Sequence, residues 1–303
     1  MSVFGRLVLG VAESAPVSRL ITRTSAGRAL AHRFVAGETL DQAITAAKAL
    51  NRDGLLVSLD LLGEEATDPA SVETAVAAYE ACLARMSADR IAGNISIKLT
   101  QLGLAFDPAL AAVGLDRLAA AAGALDLTVT IDMEDSRFTE GTVDLYEKTQ
   151  LKRHNLGLAL QAYLFRTPAD VARLAPLGGH IRLCKGAYVE PPEVAFTAKD
   201  DVDAAFARLL EMLMPDRRVR PAIATHDDRL IDVTRRLGGK RQEPFEFQML
   251  YGVRLGLQRQ LAAEGHRIRI YVPYGAAWYP YLVRRLAERP ANLAFFIRAL
   301  FSR

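Results

Sequence analysis

The sequence predicts a (β/α)8 barrel of the TIM type, with N-terminal helices preceding the first strand. Eight short β-rich segments recur between Leu55 and the tyrosine at 274, and Ala- and Leu-rich stretches of helical period separate them. Those stretches are long enough for right-handed crossovers between parallel strands, and eight such units are the arithmetic of a closed barrel. No GxGxxG follows any strand, which disfavours a doubly wound sheet.

Taken in order, residues 1–50 read as a helical arm, with apolar repeats through Ala29, Leu30 and Phe34 and then Leu40, Ala43, Ile44 and Ala47. The barrel domain occupies 51–303. Its strands are expected at LLVSLDLL from Leu55, NISIKLT from Asn94, LTVTIDME from Leu127, LGLALQAY from Leu156, HIRLCKGAY from His180, RPAIATHD from Arg220, FEFQML from Phe245 and RIRIYVPYG from Arg267. SVETAVAAYEACLARM and ALAAVGLDRLAAAAGAL are representative crossover helices. After the last strand, Tyr281, Arg284, Arg285 and Glu288 fall at i, i+3, i+4 and i+7 of a helix and so share one face. Two guanidinium forks behind an aromatic ring suit a carboxylate, although a solvated basic helix face has the same pattern.

Strand phase sharpens the site, because side chains alternate between lumen and helix layer. Ser96, Lys98 and Thr100 oppose Ile95, Ile97 and Leu99; Thr128, Thr130, Asp132 and Glu134 oppose Val129, Ile131 and Met133. Arg182 opposes Ile181 and Leu183, Glu246 and Gln248 oppose Phe245, Phe247 and Met249, and Arg269 and Tyr271 oppose Ile268, Ile270 and Val272. The apolar phase must meet the helices, so Lys98, Asp132, Arg182, Glu246 and Tyr271 are expected to converge inside the barrel. Buried charges are costly unless paired or used by a ligand, which favours a site over a lattice of ion pairs. The C-terminal strand ends carry the chemistry of such barrels, and Lys98, Asp132, Tyr271 and the KGAY segment fall there.

Composition excludes several classes. The 303 residues are 50% hydrophobic with a net charge of +3 and no basic run interleaved with aromatics, so no nucleic-acid partner is expected. Cys82 and Cys184 lack CxxC or Cys/His metal spacing, and no histidine has second and third ligands near it in sequence, so no metal is expected. Cys184 reads as an inert thiol, His226 as a ligand contact or a capped loop residue, and His32, His154, His180 and His266 as surface or loop residues. No run reaches transmembrane length and the opening MSVFGRLVLGVAESAP is too short in apolar residues for a signal peptide, so the expectation is a cytoplasmic protein.

The motifs VSLDLLGE, SIKLTQLGL, TIDMED, LQAYL, RLCKGAY, ATHD, FEFQMLYG and YVPYGAAWYPYLVRRLAERP, in this order, resemble the proline dehydrogenase family in its monofunctional bacterial form. The resemblance implies FAD-dependent oxidation of L-proline to 1-pyrroline-5-carboxylate, with a quinone reoxidising the flavin. By the same resemblance Asp132 and Arg182 form the catalytic pair, while Lys98, Arg284 and Arg285 take the substrate carboxylate. Tyr271 and Tyr281 wall the ring, and Glu64 in LGEE is a gate residue. Met133, Gln161, Lys185, Gly186, Ala187, Thr225 and His226 match FAD-contacting positions. Cys184 departs from the family, standing where an aliphatic residue is common, and LGEE leaves the gate role open between Glu64 and Glu65.

A quinone acceptor implies at least transient contact with the inner face of a membrane; homo-oligomers remain open. Leu293, Phe296, Ile297, Leu300 and Phe301 share one helical face, a docking stripe or simply core. Two other classes compete: a Schiff-base aldolase using Lys98 or Lys185, and a non-catalytic amino-acid-binding barrel.

Overall fold

In the computed structural model, which describes residues 32–288 without the side chains of 284–288, eight parallel strands close into a barrel in sequential order. They are β1 (Leu56–Leu61), β2 (Gly93–Ile97), β3 (Val129–Ile131), β4 (Leu156–Gln161), β5 (Gly179–Cys184), β6 (Val219–Ala224), β7 (Glu246–Leu250) and β8 (Arg267–Tyr274). β1 pairs with β8 from Leu56 opposite Arg269 to Leu61 opposite Tyr274, which closes the ring. Every expected strand is present. β3 is the exception in length, three residues against the eight of LTVTIDME.

The helices are α1 (Leu40–Arg52), α2 (Pro69–Ala88), α3 (Pro108–Ala124), α4 (Ser136–Arg153), α5 (Thr167–Leu174), α6 (Lys199–Leu213), α7 (Asp228–Gly238), α8 (Leu255–Ala263) and α9 (Trp278–Glu288). Their starts are written locally. Asp68 and Asp107 each precede a proline at the first helical position and accept backbone N–H bonds from the first turn. Such caps contribute about 1 kcal/mol each, and the proline's fixed φ is already helical. Asp135 and Asp227 cap α4 and α7 in the same way.

Alternation decides which face of each strand is dry. Val57, Leu59, Ile95, Ile97, Val129, Ile131, Ile181, Leu183, Phe247, Ile268 and Ile270 point outward and join one core with the helices. Ala43, Ile44 and Ala47 of α1 belong to that same core. The chain before α1 is held at the barrel mouth: the Ala36 N–H donates to the Pro273 carbonyl, and Phe34 and Val35 pack with Leu62, Trp278, Tyr281 and Leu282. The Trp278 indole donates to Glu38 at 3.0 Å, tying this segment to α9. Ala29, Leu30 and the stripe from Leu293 to Phe301 lie outside the described residues.

Candidate active site

The lumen is filled by polar side chains in two layers. In the upper one Asp132, just past the end of β3, accepts from the Ser96 hydroxyl at 2.8 Å and from Arg182 Nη1 on one oxygen. Its other oxygen accepts from the Tyr271 hydroxyl at 2.7 Å and lies 3.7 Å from Lys98 Nζ. Lys98 in turn donates to Asp60 Oδ1 at 2.6 Å. Arg182 donates through Nε to Gln248 at 2.5 Å, through Nη1 to Ser96 at 2.9 Å and through Nη2 to Ser58 at 3.3 Å, and lies over the Tyr271 ring at 5.3 Å. Asp60, Asp132, Lys98 and Arg182 therefore balance in charge.

The lower layer holds Glu246, Arg269, His180, Asn94 and Thr130. Arg269 forks onto Glu246 at 2.6 and 3.1 Å, and His180 Nε2 stands 3.2 Å from the same carboxylate. Three expectations are corrected here. Glu246 does not reach the Lys98 cluster; it sits beneath it, bonded to Gln248 at 2.7 Å. His180 is a lumen residue and not a surface one, because it shares the phase of Arg182 in β5; burial lowers its pKa. Glu134 leaves the lumen phase after β3 ends, and its carboxylate turns to the backbone N–H and hydroxyl of Thr100 at 3.1 and 2.6 Å.

Above the upper layer opens a cavity of about 900 Å³, near the top of the range for small-molecule sites. Its lining brings together Lys98, Asp132, Met133, Gln161, Arg182, Lys185, Gly186, Ala187, Thr225, His226, Tyr271 and Tyr281. Arg284 and Arg285 lie on α9, but their side chains are outside the described residues. Glu64 is exposed on the loop after β1 and is not among the residues that line the cavity. Asp60, Gln248 and Tyr188 line the cavity without having been singled out as site residues, although the polar phase of VSLDL and FEFQ carried the signal for the first two.

Burial would by itself lower the pKa of Lys98, but Asp60 and Asp132 outweigh it and raise it. A lysine held as ammonium is no nucleophile, and Lys185 is paired with Asp203 and, at 2.8 Å, with Asp227. Both facts weigh against a Schiff base. The Cys184 thiol is pushed up to about 12 by burial and donates to the Leu160 carbonyl, in keeping with an inert group.

The lining of the cavity is mixed in charge and net positive on one side, where Asp227 and Asp228 are outnumbered by basic residues. Lys185, Lys199, Arg229 and Arg254 border it on the side of β5 to β7. At Gly186 φ is +129°, and a Cβ there would meet the Tyr163 ring at 2.4 Å. The backbone thus crosses the cavity wall where no side chain fits. Ala187 N–H is held by Gln161 Oε1 at 3.1 Å, whose amide nitrogen donates to the Glu134 carbonyl at 2.8 Å. His226 Nε2 accepts from the Leu250 N–H at 3.1 Å, so the ring proton of the neutral imidazole sits on Nδ1. Gly186→Ala should cost about 1–3 kcal/mol through backbone strain, with the ring contact added. Thermal unfolding should register a fall of several degrees; an unchanged Tm would mean that the turn is not constrained as described.

The family profile described as proline dehydrogenase matches residues 43–298. Proline dehydrogenase 1 of Bacillus subtilis (strain 168) is 39% identical over 276 residues, covering 90% of this chain and 91% of that protein. Proline dehydrogenase of Deinococcus radiodurans is 39% identical over 306 residues, covering 98% of each. Among solved structures, proline utilization A from Bdellovibrio bacteriovorus inactivated by N-propargylglycine superposes with a TM-score of 0.83 at 22% identity, a likeness of fold. It covers 97% of this chain and 37% of that one, so the chain spans little more than a third of the larger protein.

Proposed function

The chain belongs to the proline dehydrogenase family, flavin-dependent oxidoreductases of proline catabolism, and from that premise we propose which of its residues bind, orient and oxidise the substrate. The reaction is oxidation of L-proline to 1-pyrroline-5-carboxylate. The observation that carries the assignment is the cluster of Asp132, Arg182, Tyr271 and Lys98 at the floor of a cavity large enough for cofactor and substrate together.

Met133, Gln161, Lys185, Gly186, Ala187, Thr225 and His226 would hold the flavin as FAD. Bound there, FAD supplies the acceptor for the hydride that leaves the carbon beside the proline nitrogen. Lys98, with Asp60 taking one of its three donors, keeps others for the substrate carboxylate. Since the described floor is charge-neutral, Arg284 and Arg285 are proposed to supply the remaining positive charge. Tyr271 and Tyr281 wall the ring, and Asp132 holds Arg182, Tyr271 and Lys98 in one arrangement. Four of the five guanidinium donors of Arg182 have partners among the described residues, the fifth, on Nη2, has none there, and the residue lines the cavity. A preorganised donor of this kind stabilises negative charge that develops as electrons leave the substrate.

The division proposed for the chain is an arm to residue 50 and a catalytic barrel over 51–303, the arm's last helix α1 being packed into the barrel's core. The proposed acceptor is a quinone, reached by transient contact with a membrane. No helix among the described residues is long and apolar enough to cross one. Turnover with L-proline and a soluble quinone should yield a product two hydrogens lighter than proline by mass spectrometry. An unaltered substrate mass under conditions where the flavin is present would refute the assignment.

Glu64 and Arg284 are proposed as a gate. The Glu64 loop follows β1, which pairs with β8, and Arg284 lies on the helix after β8. Hydrogen bonds to charged groups contribute about 1.5–3 kcal/mol, so Arg284→Ala should weaken apparent proline affinity about ten- to a hundredfold, with Glu64→Gln doing less. In a double-mutant cycle the two effects should fall short of adding; simple additivity would dissolve the gate.

A further inference from the structure

Beneath Arg182 the lower layer forms a hydrogen-bond chain with only one allowed direction. Arg182 Nε–H can only donate, so the side chain it meets at 2.5 Å, Gln248, must present its carbonyl oxygen there. That choice points the Gln248 amide nitrogen away from Arg182 and down the lumen, where it donates to Glu246 Oε1 at 2.7 Å. Glu246 Oε1 is the hub: it also receives Arg269 Nε at 2.6 Å, with His180 Nε2 at 3.2 Å. Arg269 is itself fixed by the Val57 carbonyl at 3.0 Å and Asn94 Oδ1 at 3.2 Å.

We propose that Gln248 and Glu246 are positioning residues, which lock the Arg182 guanidinium in one plane at the floor of the cavity. The proposal rests on the assignment of Arg182 as a catalytic group. A lumen needs only to be filled, and bulky aliphatic side chains fill it in most barrels of this class. Buried ions are poor stabilisers compared with apolar replacements, so packing alone does not call for them. Position 248 calls for a side chain that accepts on one end and donates on the other. A leucine there would do neither, and a glutamate would set a second carboxylate against Glu246. The chain therefore specifies an amide at 248 and an anion at 246, in that order from the cavity downward.

The test uses the flavin-loaded protein with three changes: Gln248→Leu, Gln248→Glu, and the reciprocal exchange Glu246→Gln with Gln248→Glu, which restores the lumen's net charge but reverses the amide–carboxylate order, so that the atom replacing Glu246 Oε1 cannot both donate to position 248 and accept from Arg269 Nε. Two readouts are taken. Solvent exchange of the Arg182 Nε–H, followed by 15N-resolved NMR, reports the lock without reference to turnover. Single-turnover reduction by L-proline reports its consequence. In Gln248→Leu the exchange should speed up and the maximal reduction rate should fall about 10- to 100-fold, the range expected when a supporting partner is removed from a functional group. Apparent proline affinity and flavin content should stay near wild type. Gln248→Glu should be impaired as well, and the reciprocal exchange should stay impaired in both readouts, because it restores the charge and not the donor–acceptor order.

Wild-type exchange and rate in Gln248→Leu would overturn the proposal. So would a rate that falls only in step with flavin content or Tm, or a reciprocal exchange that returns both readouts to wild type, since packing or net charge alone would then suffice. If Gln248→Leu does not fold, the comparison of Gln248→Glu with the reciprocal exchange decides by the same criteria. Arg182→Met separates the two levels: full activity in that variant would remove Arg182 from catalysis, while the exchange measurement would still report whether Gln248 and Glu246 hold it in place.

Discussion

Arg182→Met should slow reduction of the flavin by L-proline by roughly 30- to 1,000-fold, equivalent to about 2–4 kcal/mol of lost transition-state stabilisation. The substitution removes the guanidinium from the cavity lining and leaves Asp132 Oδ1 with the Ser96 hydroxyl alone among the described residues. Most of the barrel's cohesion lies in the outward apolar phase, which the change does not touch, so the variant should fold and retain flavin. The loss should appear in the limiting rate more than in the proline concentration needed to reach it. Near wild-type single-turnover rates would remove Arg182 from the reaction.

Lys98→Met is the second large effect, and it reads out on stability. Lys98 stands between Asp60 and Asp132, and taking away one partner of a buried pair costs about 3–5 kcal/mol. The loss should depend on pH in a defined direction. Burial already raises the Asp60 pKa, with Lys98 the strongest opposing influence, and one Asp60 oxygen has no hydrogen-bond partner among the described residues. Without Lys98 that carboxyl is pushed higher still. A carboxyl whose folded pKa exceeds its unfolded value favours the folded state most at acid pH, and that contribution is lost as pH rises through the folded pKa. The gap in Tm between variant and wild type should therefore widen from acid to neutral pH. A gap that narrows over the same range would contradict the buried Asp60–Lys98 pair.

Alternation carried much of this architecture. The strands are legible as short β-rich runs, most of which set β-branched or large apolar residues against polar ones, although β4 is buried along its whole length, and the helices as the Ala- and Leu-rich stretches of helical period between them. The inward phase likewise exposed Lys98, Asp132, Arg182 and Tyr271. Height within the lumen was not legible. Strands in a closed barrel are tilted and staggered, so residues of one phase are assigned to a layer by shear, which no single strand encodes. That is why the sequence groups Glu246 with a cluster it lies beneath, and why Gln248, although placed in the lumen phase, is not legible as the link between layers. His180 is misplaced for a simpler reason: the strand expected from the sequence starts at His180, whereas β5 starts one residue earlier, at Gly179, so that His180 lies within it and in the lumen phase of Arg182. Asp60 was passed over because VSLDLL has two polar residues in a short apolar run, and its importance rests on Lys98, which lies 38 residues away in sequence.

The most direct test is an anaerobic titration of the purified protein with L-proline, followed in the visible spectrum. The protein should be yellow, and L-proline should bleach the flavin bands in proportion to the amount added until every flavin is reduced, while D-proline leaves them unchanged. A colourless protein, or flavin bands that persist at saturating L-proline, would contradict the assignment of this barrel as a proline-oxidising flavoenzyme.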